Sequence, residues 1–196
     1  IQAQPFLALG LSVLLIDYRG YGLSSGPFPN EKRVYEDAIA AWDYLTQTRE
    51  ISADDIVIFG HSIGGAIAIE LASQQPAAAG LIVQATFTSM TDMMDHAGYS
   101  RLVPKWLLNQ HFASIDKVQS LQMPVLLIHG MNDRTVPAGM SQTLHGAIAA
   151  PKQLWLVPIA DHNDIAIVAG EPYTLTIHDW LQTLTDEKPA DHRQPI

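Results

Sequence analysis

The stretch Ile56-Val57-Ile58-Phe59-Gly60-His61-Ser62-Ile63-Gly64-Gly65-Ala66-Ile67-Ala68-Ile69 passes from one apolar run to another through a cluster of small residues. The first run is short, apolar throughout and rich in β-branched residues, the pattern of a strand buried on both faces of a parallel sheet. The second continues to Gln75 and is stopped by Pro76, which reads as an apolar helix. Between them lies Gly60-His61-Ser62-Ile63-Gly64, a G-x-S-x-G pattern. A serine in that setting sits on a sharp strand-to-helix turn, and the positions two before and two after it are expected to pack too closely for larger side chains. A plain glycine-rich turn would look the same, so Ser62 has to be judged by its possible partners downstream.

A serine hydroxyl is a weak nucleophile and needs a base, which in turn needs an orienting acid. Downstream, the apolar run at 125–129 leads into Met131-Asn132-Asp133, and the run at 153–157 leads into Ala160-Asp161-His162-Asn163-Asp164. Ser62, Asp133 and His162 thus appear in the chain order of an α/β nucleophile-elbow site, each just past a strand. Taken singly, Asp133 could cap the turn before a helix at Ala138, and His162 could be a surface histidine. Asp161 and Asp164 read as loop hydrogen-bonding groups, His129 as a buried and satisfied histidine, and His61 as structural. No spacing supports a metal site among His129, Asp133, His162 and Asp164, and no cofactor is expected.

Strand-like runs at 12–16, 56–59, 81–85, 125–129 and 153–157 alternate with helical patterns beginning at Asn30, Ile63, Ala138 and Tyr173. That alternation predicts an α/β fold, a mostly parallel sheet flanked by helices. One domain over 1–185 is expected, with a helical, lid-like insertion at about 88–123 and a flexible tail over 186–196. Met90, Met93 and Trp106 in the insertion are candidates to wall an acyl pocket, although such residues at helical spacing pack cores equally well.

The 196 residues, 47% of them hydrophobic and 16% charged, suit one globular domain. A net charge of −9 argues against nucleic acid as a partner. The absence of cysteine excludes disulfides and thiolate chemistry. No apolar stretch approaches the ~18–20 residues of a membrane span. Membrane association is not evident in these residues, the compartment stays open, and a small-molecule or acyl substrate is the expected partner.

Four stretches together resemble the α/β-hydrolase superfamily, and within it the alpha/beta-hydrolase-domain serine hydrolases that include protein depalmitoylases. They are the loop from Asp17 to Gly26 (Asp-Tyr-Arg-Gly-Tyr-Gly-Leu-Ser-Ser-Gly), the Gly60–Gly65 elbow, His129-Gly130-Met131-Asn132-Asp133 through Val136-Pro137, and His162-Asn163-Asp164. The resemblance implies Ser62 as nucleophile, Asp133 as acid, His162 as base and the Ile63 N–H as one oxyanion-hole donor. It implies an ester or thioester hydrolase working through an acyl-serine. A serine peptidase of the same fold and a non-catalytic binding protein of the same shape are the alternatives. Such proteins carry further strands before the run at 12–16, and the loop after the third supplies a second oxyanion donor. Nothing upstream of Ser12 matches, so the chain is expected to be a piece of a longer protein. The strands at 12–16 and 56–59 would then lack the neighbour between them.

Overall fold

The computed structural model describes residues 3–99 and 109–186. Four short strands form one parallel sheet in the order β1-β2-β3-β4: β1 (Val57–His61), β2 (Gly80–Gln84), β3 (Val125–Gly130) and β4 (Lys152–Val157). The register sets Val57 beside Gly80, Leu81 beside Val125, and Val125 beside Lys152. Parallel neighbours cannot be joined by a tight turn, so every connection carries helix. Helix α1 (Gln4–Ala8) and α2 (Glu31–Asp43) precede the sheet. Helix α3 (Ile63–Gln74) joins β1 to β2, α4 (Met90–His96) and α5 (Ser114–Lys117) lie between β2 and β3, and α6 (Ala138–Ala147) links β3 to β4. Helices α7 (Ile165–Ala169) and α8 (Glu171–Asp186) close the described chain.

The central strands are apolar at nearly every position because both their faces are covered. Leu81, Val83, Val125 and Leu127 pack into one core with Val34 and Trp42 of α2, Ile67 and Ile69 of α3, and Leu144 of α6. The alternate residues Ile82, Leu126 and Ile128 pack into a second core with Phe6, Ile165, Tyr173, Ile177 and Trp180. Fully burying one such aliphatic side chain stabilises by roughly 1.5–3 kcal/mol. Helix α2 starts where the sequence suggested, with the Asn30 side chain accepting from Arg33 N–H at 3.0 Å. Helix α3 runs from Ile63 with seven buried residues, since it packs between the sheet and α2 rather than facing water.

The expected strand at 12–16 is not formed. Residues 11–18 belong to no ladder, and Val13, Leu14, Leu15 and Ile16 are 36–74% exposed. A strand exists only where a neighbour takes its N–H and C=O groups. Among the described residues β1 pairs with β2 alone, so its other edge is open and nothing pairs with 12–16. Of the expected insertion, α4 and α5 are described. Residues 100–108, with Trp106, lie outside the described residues, as do residues 187–196 of the expected tail.

Candidate active site

The chain turns from β1 into α3 at Ser62, whose backbone adopts φ 55° and ψ −123°. A non-glycine residue at positive φ is strained, and the surrounding bonds hold this one in place. Ser62 N–H donates to the Gln84 carbonyl at 2.9 Å, while the Ser62 carbonyl accepts from Gly65 N–H and from the Thr86 hydroxyl, both at 2.9 Å. The tight packing expected at the elbow is real but unevenly shared. A methyl group added at Gly60 would overlap the Gly64 carbonyl and stand 2.7 Å from Ala68 Cβ, and one at Gly65 would stand 2.6 Å from Thr86. One at Gly64 meets nothing within 4 Å, because what crowds Gly60 is the backbone of Gly64. The expectation of a size limit at Gly64 itself is corrected accordingly.

The ends of β3 and β4 bring the other two residues to Ser62. His162 Nε2 lies 2.9 Å from Ser62 Oγ, and His162 Nδ1 lies 2.7 Å from Asp133 Oδ2. Three side chains separated by up to 100 positions form one hydrogen-bonded line. Asp133 is fully buried at its side chain. Burial alone would raise its pKa, yet His129, the Val136 and Thr135 N–H groups and His162 surround the carboxylate and hold it down to about 2. It is therefore an anion at any pH near neutrality. The Thr135 and Val136 N–H groups each donate to Oδ1 at 2.8 Å, which leaves Oδ2 to the imidazoles.

The base loop is fixed from several sides. Asp161 accepts from His162 N–H at 2.8 Å and from Arg134 N–H at 3.0 Å, and Asp164 accepts from Asp161 N–H at 2.7 Å. Both act as loop hydrogen-bonding groups, as their positions suggested. Gly130 permits the close approach of this loop, since a methyl group there would overlap the Ala160 carbonyl. His129 is wholly buried, with Ser141 and the Val136 carbonyl as partners. His61 donates to the His162 carbonyl at 3.0 Å, a contact that spans 101 positions and has no local signal in the sequence.

Ile63 is the first residue of α3, so its N–H has no partner within the helix and points out of the N-terminus beside Ser62. Its side chain is exposed. An open depression of about 610 Å³ lies beside the acid and base loops, lined by Met131, Asn132, Asp133, Arg134, Ile159, Asp161 and Asp164. Met90 and Met93 are not among its lining residues; both are half-buried against the core on α4. Among the described residues no group of three or more His, Asp or Glu is placed to hold a metal ion. No helix among them is long and apolar enough to cross a membrane.

Residues 1–163 match the prolyl oligopeptidase family, in the peptidase S9 class. The chain belongs to that family. It is 41% identical over 173 residues to an uncharacterized protein of Mycobacterium tuberculosis, covering 88% of this chain and 60% of that one. It is 34% identical over 189 residues to protein bem46 of Schizosaccharomyces pombe, covering 94% of this chain and 62% of that one. The mouse alpha/beta hydrolase domain-containing protein 17C is 32% identical over 162 residues, 82% of this chain and 48% of that protein. The chain thus spans about 60% of the length of the first two relatives. Among solved structures, the Pyrococcus furiosus esterase Pf2001 superposes with a TM-score of 0.72 at 19% identity, over 93% of this chain and 74% of that one. The Paleococcus ferrophilus monoacylglycerol lipase does so with a TM-score of 0.64 at 18% identity, over 86% and 82%. These likenesses give the fold, an α/β-hydrolase fold, and the chain is a member of that superfamily.

Proposed function

We propose that the chain carries the reaction centre of a serine hydrolase that cleaves carboxylic ester or thioester bonds, with Ser62 as nucleophile, His162 as base and Asp133 as acid. The supporting observation is the unbroken line Asp133–His162–Ser62 at 2.7 and 2.9 Å. In the first half-reaction Ser62 Oγ attacks the acyl carbon while its proton passes to His162 Nε2. The tetrahedral oxyanion takes the Ile63 N–H, and collapse expels the alcohol or thiol, which leaves with the proton from His162. In the second half, water gives its proton to His162 and attacks the acyl-serine. The acid departs and Ser62 recovers its proton. Asp133 stays ionised throughout and stabilises the transient imidazolium.

One N–H makes half an oxyanion hole, and a lost donor costs about 10²–10³ in turnover. The second donor is assigned to a segment preceding Ile1 that would pair with the open edge of β1. Support comes from that edge and from the exposed apolar residues at 13–16. The chain without that segment is expected to be a poor catalyst. For the substrate we propose an acyl group of lipid origin, as in the depalmitoylase-like proteins that the sequence resembles, with Met90, Met93 and Trp106 walling its pocket. The esterase and the lipase among the structural neighbours favour acyl transfer.

The family match favours a second reading, a serine peptidase using the same three residues. Rates on an activated ester, an acyl thioester and a peptide amide separate the two. A non-catalytic binding role is disfavoured because all three side chains are in place. The deciding experiment is labelling of the whole protein by a fluorophosphonate. Labelling of Ser62 that disappears in Ser62→Ala is expected, and labelling that survives the substitution overturns the proposal.

A further inference from the structure

We propose that His129 is a positioning residue: its Nε2–H, fixed by Ser141, orients the Asp133 carboxylate toward His162. The proposal rests on the proposed roles of Ser62, His162 and Asp133. His129 Nε2 faces two oxygens that can only accept, the Val136 carbonyl at 2.9 Å and Asp133 Oδ2 at 3.1 Å. That nitrogen must therefore carry a hydrogen. Nδ1 lies 2.7 Å from Ser141 Oγ, and among the described residues this hydroxyl has no other partner. Its hydrogen points to Nδ1, which makes His129 the neutral Nε2–H tautomer.

The consequence lies in charge. Asp133 has two imidazoles on the same oxygen, His162 at 2.7 Å and His129 at 3.1 Å, and all three side chains are at 0–9% exposure. During turnover His162 becomes a cation. A second cation at His129 would compete for the carboxylate and repel the first in a site that screens poorly. Ser141 prevents this by donating to Nδ1. A neutral donor then fixes the carboxylate's rotation while leaving its whole charge to His162. The titratable groups facing His129 are Asp133, His162 across it, and more distantly His61. The brace is also mechanical: His129 stands near the end of β3, Ser141 lies on α6, and Asp133 sits on the loop between them. A histidine serving only the core would be satisfied by Ser141 and the Val136 carbonyl.

The test compares His129→Gln, His129→Leu and Ser141→Ala in the whole protein. The rate is measured on a p-nitrophenyl ester, per mole of Ser62 titrated by a fluorophosphonate. Glutamine keeps a neutral N–H at similar reach, and leucine has none. For His129→Leu the expected fall in kcat is about 10–100-fold with KM within about twofold, and His129→Gln recovers most of it. The low-field proton resonance of the His162–Asp133 bond shifts in His129→Leu and returns toward its original position in His129→Gln. Because loss of a buried imidazole can unfold the domain, Ser141→Ala provides an independent arm. It should lower kcat about 3–10-fold at constant KM and shift the same resonance. Equal losses in the glutamine and leucine substitutions, or an unmoved resonance in Ser141→Ala, overturn the proposal. If the parent shows no titratable Ser62, the hydrolase proposal fails instead, and the resonance still tests the brace.

Discussion

The ring of His61 and the carbonyl of His162 are joined by a 3.0 Å hydrogen bond, so the residue before the nucleophile holds the loop that carries the base. Burial lowers the His61 pKa, and the bond to His162 only partly opposes it, so near neutrality the ring is an uncharged donor. Replacing it, as His61→Ala, frees the His162 carbonyl and lets the base drift from Ser62. A loss of about 1–2 kcal/mol in stability is expected, with kcat down about tenfold. Urea unfolding and ester kinetics on the same preparation check both figures.

Stability should fall with acid in two stages. His61 has a folded pKa below the ordinary histidine value of 6.5, so its contribution is complete above that pH and erodes as pH drops below it. Asp133 has a folded pKa of about 2 against 3.8, so its contribution is complete above pH 3.8 and is lost as pH falls toward 2. The second stage is worth on the order of 2 kcal/mol. Urea midpoints across the acid range should show the early stage vanish in His61→Ala and the later one persist.

Asp133→Asn would keep the shape and remove the charge. It would also turn an amide N–H₂ toward groups that donate to Asp133 now, namely His162, Thr135 and Val136. The expected drop in kcat is about 10³–10⁴, with a smaller change in KM. A loss below tenfold would show that His162 does not depend on this carboxylate.

Gly60→Ala tests the elbow from the structural side. The new methyl overlaps the Gly64 carbonyl and presses on Ala68, so backbone must move. A cost of about 1–3 kcal/mol is expected, with a lower Tm and weaker fluorophosphonate labelling. Gly64→Ala, which meets no neighbour, should leave Tm nearly unchanged.

Glu31 ties distant chain together. Its carboxylate accepts from His111 N–H at 2.5 Å, Phe112 N–H at 2.9 Å and the Tyr35 hydroxyl at 2.8 Å. Phe112 is held at φ 41° with its ring buried. Glu31→Gln should cost about 1–3 kcal/mol and speed amide exchange at 111 and 112. Unchanged exchange there would mean that the strained turn stands without the carboxylate.

The parts legible in the sequence were those written in local pattern. Continuous apolar runs announced β1 to β4 because the sheet is covered on both faces, and the small residues from Gly60 to Gly65 announced a turn that the chain folds tightly. Asn30 and Pro76 marked helix ends through their own backbone chemistry. The run at 12–16 has the same local pattern as β1 but no neighbour to pair with, and pairing is not a property of the segment itself. The bonds of Glu31 to Phe112 and of His61 to His162 span 81 and 101 positions. Such partners are fixed by the packing of whole layers, so no short window of sequence contains them. Ser141 is similar: one more small polar residue on a helix, given its use only by His129 lying beneath it.

The open edge of β1 and the exposed apolar residues at 13–16 also bear on behaviour in solution. An unpaired strand edge in a chain with uncovered leucine and isoleucine is a template for another chain. At high concentration these residues should draw copies together edge to edge. Solubility of this stretch would then be governed by how that edge is covered, more than by its charge of −9.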